Sequence, residues 1–231
     1  MSALTIDYAR YPNGVTGTVQ AGGSIPDGTY YYRVSAVNSE GQETFAGPES
    51  DPVTVGSGNN TVSLTWNEVP GCTYKVYRRP STEEWGDGND HYLGTASTES
   101  YTDSAASESS GDVMSYTSDQ VTAIPEDHRG NLVVYSIPNS LLGSAQYQGT
   151  APKELRLSIL ESGDATTVRQ NLTKLQNARA VGLPVQVYLY LFGSAWMQRD
   201  CFIRNLTWSL EPGTRDDQGV WMRITLELVE A

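Results

Sequence analysis

The sequence is poor in the residues from which compact catalytic and metal centres are usually built. It has two cysteines and two histidines in 231 residues, and they are too scattered along the chain for a closed zinc site at the usual ligand spacings. Basic residues are also scarce, at 15 against 27 acidic residues. The resulting net charge of −12 argues against nucleic-acid binding, which needs a basic surface.

Long apolar runs are missing as well. No stretch approaches the roughly 20 consecutive apolar residues of a transmembrane helix, so we expect no membrane span. The first residues, MSALTIDYARYPNG, lack a basic region followed by an apolar core, so we expect no secretory signal. Cys72, in a predicted turn, and Cys201, in a predicted strand, fall in different predicted domains. We therefore expect free thiols and synthesis in a reducing cytosol.

Glycine, serine, threonine and tyrosine are abundant, which favours strands and turns over a helical bundle. The clearest pattern lies in residues 61–79, TVSLTWNEVPGCTYKVYRR. Apolar residues alternate with polar ones up to Trp66, Pro70 and Gly71 indicate a tight turn, and a second alternating run follows from Tyr74. We interpret this as two strands joined by a turn, with Trp66 in a sandwich core.

The pattern W-x-x-V-P-G-x-x-Y-x-V-Y-R in this stretch resembles the central hairpin of a fibronectin type III-like domain. Such domains are often carried by virion proteins of tailed phages and by secreted bacterial proteins. The earlier pattern G-T-Y-x-Y-x-V-x-A-V-N-x-x-G, from Gly28 to Gly41, resembles the late strands of the same family. Because it precedes the Trp66 strand, we predict a permuted sandwich in which residues 30–55 complete the sheets built by residues 61–102.

The second half of the chain has a different periodicity. Strand patterns cover residues 131–137 and 153–160, and a helix is predicted to begin near Asp164 or Thr166 and to end at Gly182 and Pro184. Its apolar stripe is Val168, Leu172, Leu175 and Ala178. Three more strands are predicted at 185–192, 201–210 and 220–229. The order β–α–β–β–β predicts an α+β domain with one helix on a mostly antiparallel sheet.

These features divide the chain into four predicted segments. They are an N-terminal arm or edge strand (1–23), a fibronectin type III-like β-sandwich (24–104), a serine-rich linker (105–119) and an α+β assembly domain (120–231). The predicted cores contain Tyr32, Val34, Trp66, Tyr74 and Val76 in the sandwich, and Leu155, Leu172, Leu175 and Leu189 in the second domain. The fold class is therefore mainly β.

The second domain loosely resembles tube-like and hub-like domains of phage tail and baseplate proteins. The resemblance is carried by K-E-L-R-L-S-I-L before the helix and by R-N-L-T-W-S-L and W-M-R-I-T-L-E-L after it. It implies a structural protein of the tail tip or baseplate, with other tail proteins as partners, in a virion made in the host cytoplasm. We expect a homo-oligomeric ring, six-fold if the chain follows the proteins it resembles, that forms through the closing strand 220–229. This strand is predicted to be an edge of the sheet. Its second face carries Trp221 and Val229, with Trp208 beside them on the neighbouring strand.

Candidate chemistry is sparse, and we predict neither an enzyme nor a cofactor or metal site. His91 and His128 are expected in polar, solvent-facing loops, without a nucleophile or carboxylate at a known spacing. Asp87, Asn89 and Asp90 resemble half of a calcium loop, but the closing glutamate is missing, so a polar turn is preferred. The pair Asp216 and Asp217 is expected to be solvated at a hairpin tip.

Two aromatic residues support an alternative function. Trp85 and Tyr92 flank a polar loop, where aromatic rings can stack on sugars, and this would suit a secreted or surface glycan-binding module used for host attachment. Against this interpretation, Tyr and Trp are favoured strand residues and also fill the cores of β-sandwiches. The structural role in a tail is therefore preferred, and glycan binding is the alternative.

Overall fold

A computed structural model describes residues 4–9, 12–85, 91–105, 109–110, 113, 116–118, 121–124, 131–135, 144–148, 154–191, 194–211 and 219–231. They form a mainly β protein with one helix, which confirms the predicted fold class. The chain divides into two compact units, which we call the sandwich unit (Tyr8–Ser115) and the α+β unit (Met1–Asp7 with Tyr116–Ala231).

The first half of the chain contains the strands β1 (Leu4–Ala9), β2 (Thr16–Gln20), β3 (Gly22–Gly23), β4 (Gly28–Val37), β5 (Val53–Val55), β6 (Asn59–Thr65), β7 (Thr73–Pro80), β8 (His91–Ala96), β9 (Ser100–Asp103) and β10 (Ser109–Ser110). The second half contains β11 (Tyr116–Ser118), β12 (Val121–Ile124), β13 (Asn131–Tyr135), β14 (Ser144–Gln148), β15 (Glu154–Gly163), α1 (Ala165–Val181), β16 (Val185–Leu191), β17 (Ser194–Leu210) and β18 (Val220–Glu230).

The sandwich unit has a five-stranded sheet in the order β10-β8-β7-β4-β5 and a smaller sheet in which β6 pairs with β2, β3 and β9. The predicted hairpin of β6 and β7 is therefore wrong, since the two strands belong to different sheets. Their apolar faces oppose each other across the core, where the rings of Trp66 and Tyr74 meet edge to face at 5.3 Å. Placing β6 and β7 in facing sheets buries the apolar faces of both strands, which favours this arrangement over a hairpin in which they pair side by side.

Strand β4 pairs with β7 along its length, from Tyr30 opposite Pro80 to Val37 opposite Thr73. Residues 30–37 therefore lie in the same sandwich as β6 and β7, as predicted, although β4 and β5 precede those strands in the chain. The predicted core residues of this unit are all buried: Tyr32, Val34, Trp66, Tyr74 and Val76.

The structure places the N-terminal boundary differently from the predicted arm at 1–23. Strand β1 lies between β11 and β16 in the sheet of the α+β unit, and Leu4 is fully buried. Strands β2 and β3 belong to the sandwich unit. The sandwich unit is thus inserted in the chain between two strands of the α+β unit. A pattern of three apolar residues was too short to show that β1 pairs with strands more than 100 residues away.

The predicted linker at 105–119 is wrong for the part of it that the structure describes. Strand β10 pairs with β8, and Val113 and Tyr116 are buried in the sandwich and α+β units respectively. Serine-rich composition suggested a linker because serine adds little apolar surface. Here single large residues within the stretch anchor it instead.

The α+β unit contains a seven-stranded sheet in the order β11-β1-β16-β17-β18-β15-β12. Strand β18 pairs antiparallel with β17 on one side and with β15 on the other. The prediction that the closing strand is an edge is therefore wrong, because both rows of its backbone hydrogen bonds are used within the chain. Intermolecular pairing along β18 is not open to this sheet.

The two ends of this sheet are formed by strands that are separated by only two residues, since Ser118 ends β11 and Val121 begins β12. Their Cα atoms can be at most about 11 Å apart. The Tyr116 hydroxyl in β11 also donates a hydrogen bond to the buried Glu161 carboxylate in β15, at 2.5 Å. The sheet therefore curves until its two ends approach each other.

Helix α1 agrees closely with the sequence prediction. Asp164 is the N-cap and accepts hydrogen bonds from the backbone N–H groups of Thr166 and Thr167, while Gly182 ends the helix at a φ of 74°. The predicted stripe is buried: Val168, Leu172, Leu175 and Ala178. Of the other predicted core residues, Leu189 is buried, but Leu155 is only half-buried because it lies near the start of β15.

Strands β13 and β14 form a separate hairpin, the only two-stranded sheet in the described part of the chain. The predicted strand at 131–137 corresponds to β13, whereas its partner β14 was not predicted. Among the described strands, β13 and β14 are hydrogen-bonded to each other and to no other strand.

A close backbone approach makes Gly47 essential to the sandwich unit. Its N–H donates to the Val34 carbonyl at 2.8 Å, and a Cβ atom at this position would lie 1.7 Å from the Pro12 carbonyl oxygen. We expect Gly47→Ala to lower the free energy of unfolding by about 1–3 kcal/mol or more, because backbone must move. Gly28→Ala is the control, since its Cβ would meet Tyr30 at an ordinary 3.5 Å. Urea unfolding measures the stability of both variants, and Gly47→Ala should be the less stable. Equal stabilities would contradict the close approach at Gly47.

A buried ion pair connects the sheets of the sandwich unit. Arg78 Nη1 lies 2.7 Å from Asp103 Oδ2, which also accepts a hydrogen bond from the Tyr32 hydroxyl at 3.0 Å. Both charged side chains are almost fully buried. Burial raises the pKa of the Asp103 carboxyl above its ordinary value, and Arg78 opposes that rise. Arg78 thus favours the charged form of Asp103 in the core, against the effect of burial.

We expect Arg78→Met to destabilise the protein by about 3–5 kcal/mol at neutral pH, because Asp103 would be left buried and unpaired. A carboxyl with a raised folded-state pKa favours the folded state when it is protonated, so the loss should shrink as the pH falls through that pKa. The difference in the free energy of unfolding between wild type and Arg78→Met, measured between pH 4 and pH 7, tests this expectation. Combining Arg78→Met with Asp103→Asn should recover stability, and a double variant as weak as the sum of the singles would contradict the pairing.

Candidate interaction surface

Exposed apolar side chains are concentrated on one pair of strands. Among the described residues, the large hydrophobic side chains that remain exposed are Phe202 (40%), Trp208 (50%), Leu210 (57%) and Trp221 (36%). All lie on β17 or β18 of the α+β unit. Single exposed apolar residues are ordinary, but large neighbouring ones mark interaction surfaces.

The register of these strands shows which exposed residues are neighbours. Trp208 lies opposite Ile224, and Leu210 lies opposite Met222, so both belong to the face on which Ile224 and Met222 are buried. Trp208 and Leu210 are two residues apart on one strand and therefore adjacent on that face. We call this pair the Trp208–Leu210 surface.

The other two exposed residues lie on the opposite face and far from each other. Phe202 is opposite Val229, while Trp221 is at the other end of β18, opposite Ser162 of β15. The expectation that Trp208 joins Trp221 and Val229 on one face is therefore wrong. The cause is a bulge between Ile203 and Asn205, which shifts the buried positions of β17 by one residue.

Between Trp221 at one end and Phe202 and Val229 at the other, the second face of the strand pair carries paired charges. Arg223 Nε lies 2.6 Å from Glu211 Oε1, and Arg204 Nη1 lies 2.8 Å from Glu154 Oε1. These pairs are largely exposed, so each contributes at most about 1 kcal/mol to stability. Their effect is to keep this face polar. Among the described residues, Trp208 and Leu210 are therefore the exposed large hydrophobic side chains that are neighbours on one face.

Charge is unevenly divided between the two units. Residues 8–115 contain 14 acidic and five basic side chains, whereas residues 116–231 contain 12 acidic and ten basic ones. Most of the net charge of −12 thus belongs to the sandwich unit. Like-charge repulsion between copies would be strong for the sandwich unit and weak for the α+β unit.

Six residues that the sequence offered as candidates lie outside the described residues: Asp87, Asn89, Asp90, His128, Asp216 and Asp217. His91 is described, and its expected position in a solvent-facing loop is wrong. It lies in β8 opposite Arg78, is only partly exposed, and has Nε2 3.8 Å from Glu83 Oε2. The polar sequence WGDGND ends just before His91, and this composition led to the prediction of a loop.

Both cysteines are free, Cys72 in the sandwich unit and Cys201 in the α+β unit. Burial raises the pKa of the Cys201 thiol to about 12 and raises that of Cys72 above its ordinary value. Neither thiol is therefore activated as a nucleophile at neutral pH. No group of His, Cys, Asp or Glu side chains that could hold a metal ion occurs within the described ranges.

A buried carboxylate that sequence patterns did not reveal lies in the connection after β4. Glu43 Oε1 accepts hydrogen bonds from the Ser35 and Tyr77 hydroxyls, each at 2.6 Å, and Glu43 Oε2 lies 2.5 Å from Lys75 Nζ. Burial and the nearby Glu43 raise the pKa of the Tyr77 hydroxyl. Because both oxygens of Glu43 accept from donors on β4 and β7, this cluster holds the connection after β4 against the sheet.

The two aromatic residues proposed for sugar stacking are part of the packing of the sandwich unit. Trp85 and Tyr92 lie against a small buried cluster of Ala46, Tyr77 and Val113. The guanidinium carbons of Arg33 and Arg79 lie 5.5 and 5.4 Å from the centre of the Trp85 ring. Trp85 Nε1 also donates to Glu49 Oε2 at 2.7 Å. These contacts give Trp85 a structural role in the sandwich unit.

Comparison of the sequence with protein-family models and with curated proteins finds no match. No helix among the described residues is both long and apolar enough to cross a bilayer.

Because Trp85 is packed, we expect Trp85→Ala to lower the free energy of unfolding by about 1–3 kcal/mol. Trp85→Phe should lose less, since it retains a ring beneath the two arginines but not the N–H donor. Thermal unfolding measures both variants, with Tyr31→Phe as a control that leaves Trp85 in place. An unchanged melting temperature for Trp85→Ala, together with lost binding to a glycan array, would support the sugar-binding alternative.

Proposed function

We propose that this chain is a structural subunit of a virus tail, in the tail tip or baseplate region, that associates with copies of itself through the α+β unit. The observation that carries the proposal is the concentration of exposed large hydrophobic side chains on β17 and β18. A monomeric protein in water normally buries large neighbouring apolar side chains, whereas here a half-exposed tryptophan lies beside a half-exposed leucine. The pattern resemblance of this unit to tail-tube and hub-like domains supports the same role.

The unequal distribution of charge supports different roles for the two units, with the α+β unit in the contact between copies and the sandwich unit displayed. The α+β unit carries nearly balanced charge and can approach other copies of itself. The acidic sandwich unit repels its equivalents, which favours its display away from the contact. In the tail, it would serve as decoration or as a host-attachment module, alongside other virion proteins.

The sheet topology indicates how copies would associate. Strand β18 is paired on both sides, and the strands at the two ends of the sheet are only three and four residues long. Contacts between copies would therefore be made mainly by side chains and not by continuation of the sheet. If such contacts are head-to-tail, they close into a ring when the rotation allows, six-fold if the chain follows the proteins it resembles.

Glycan binding is the alternative function, and no contact among the described residues of the sandwich unit favours it. Its two aromatic residues are held in the packing around Tyr77. The preferred location is the tail of a virion that is assembled in the host cytoplasm.

The full-length protein is expected to form a homo-oligomer that dissociates on dilution. Analytical ultracentrifugation over a concentration series measures the association, and negative-stain electron microscopy of the same sample should show rings. An antibody against the sandwich unit should bind at the distal end of the tail of the parent particle. A monomer at every concentration that also fails to join particle components would contradict the proposal.

A further inference from the structure

The sandwich unit interrupts a pair of neighbouring strands of the α+β unit. The chain leaves the α+β unit after Asp7 and returns to it at Tyr116. On either side of this interruption, β1 and β11 pair antiparallel, with Ile6 opposite Tyr116. The two strands are therefore the arms of a hairpin, which we call the β1–β11 hairpin. Its connection is more than 100 residues long and is itself a folded unit.

The sandwich unit holds residues near both of its ends at adjoining positions. Near its start, the Pro12 carbonyl oxygen lies so close to Gly47 that a Cβ atom on Gly47 would be 1.7 Å from it. Near its end, Val113 is buried in a cluster with Ala46. Because Ala46 and Gly47 are consecutive in the chain, the folded sandwich unit keeps its two ends close together.

The α+β unit depends on the β1–β11 hairpin. Strand β1 lies between β11 and β16 in the seven-stranded sheet, and Leu4 on β1 is fully buried. Tyr116 on β11 is also buried, and its hydroxyl donates a hydrogen bond to the buried Glu161 carboxylate. Loss of this hairpin from the sheet would uncover an edge of β16 and remove a donor from a buried carboxylate. Both changes would destabilise the unit.

The length of the connection makes the hairpin sensitive to the state of the sandwich unit. If the sandwich unit is unfolded, β1 and β11 can pair only by closing a flexible loop of more than 100 residues. The entropy of closure grows with the logarithm of loop length, so closing a loop of about 100 residues is on the order of 100-fold less favourable than closing one of about five. A folded sandwich unit removes this cost, because it already holds its ends together.

We propose that the two units are coupled in folding through the two chain connections between them. A folded sandwich unit closes the β1–β11 hairpin, and the hairpin in turn restrains the ends of the sandwich unit, since coupling between two equilibria is reciprocal. The coupling acts through the chain and does not depend on the proposed function. Its consequence is a conformational check, because a copy whose sandwich unit unfolds also loses its ordered α+β sheet more readily.

The two cysteines provide a readout, since each unit contains one. Cys201 is buried and lies opposite Val185 of β16, the strand next to β1. When Cys72 is replaced by serine, a thiol reagent labels the protein only when the α+β unit opens at Cys201. Labelling rates under conditions where closing is faster than labelling give the equilibrium constant for this opening. All variants are therefore made in full-length protein that carries Cys72→Ser.

The first test loosens one connection and leaves the sequence of both units intact. A flexible Gly/Ser segment of about 30 residues is inserted after Ala9, where β1 ends. The control has the same segment after Ser57, in the exposed turn between β5 and β6. The insertion after Ala9 should raise the opening constant at Cys201 on the order of 10-fold, because the loop that closes the hairpin grows to about 30 residues. The control should open like the parent protein, and equal opening constants for the two insertions would overturn the coupling.

The second test unfolds the sandwich unit. Val34→Asp with Val76→Asp places two charges at opposed, fully buried positions of β4 and β7, and limited proteolysis checks that the unit is unfolded. The opening constant at Cys201 should then rise on the order of 100-fold. Unchanged labelling in this unfolded variant would overturn the coupling.

A covalent rescue separates the coupling from a general loss of structure. Thr5 and Thr117 lie opposite each other in the register of β1 and β11. A disulfide formed by Thr5→Cys with Thr117→Cys closes the hairpin without help from the sandwich unit. Added to the variant with two aspartates, it should restore the protection of Cys201 when oxidised and not when reduced. Equal labelling in the oxidised and reduced forms would contradict closure of this hairpin as the cause.

Discussion

The antiparallel register of β17 and β18 is the constraint on which the α+β unit depends. It aligns Ile203, Leu206, Ile224 and Leu226 on one buried face, despite the bulge after Ile203. The same register carries Trp208 and Leu210 onto that face beyond the part that the chain itself covers. One pairing thus both builds the core and leaves two large apolar side chains exposed among the described residues.

The curvature of the sheet follows from a second constraint. Strands β11 and β12 are consecutive in the chain yet pair with opposite ends of the sheet, so the sheet must bend to bring those ends together. The buried contact of Tyr116 with Glu161 lies at this approach. The strands at its two ends, β11 and β12, are only three and four residues long, so the described sheet offers short edges.

The sandwich unit obtains its stability in a different way. Its two buried carboxylates, Asp103 and Glu43, are each held by a cation and by hydroxyl donors. Buried ion pairs of this kind contribute more to a unique arrangement than to net stability, since desolvation offsets much of their attraction. They fix how β4, β7 and β9 meet.

The sequence by itself determined the elements whose signals are local. The helix was predicted from its cap at Asp164, its four-residue stripe and its stop at Gly182, all of which act within one or two turns. The alternation around Trp66 and Tyr74 likewise identified the sandwich core. Only the tertiary structure decided what depends on distant pairing: β1 in the second sheet, β18 as an interior strand, and the face of Trp208 set by a bulge. Alternation gives a strand two faces but does not say which neighbour it will have, because partner choice is fixed by contacts between residues far apart in the chain.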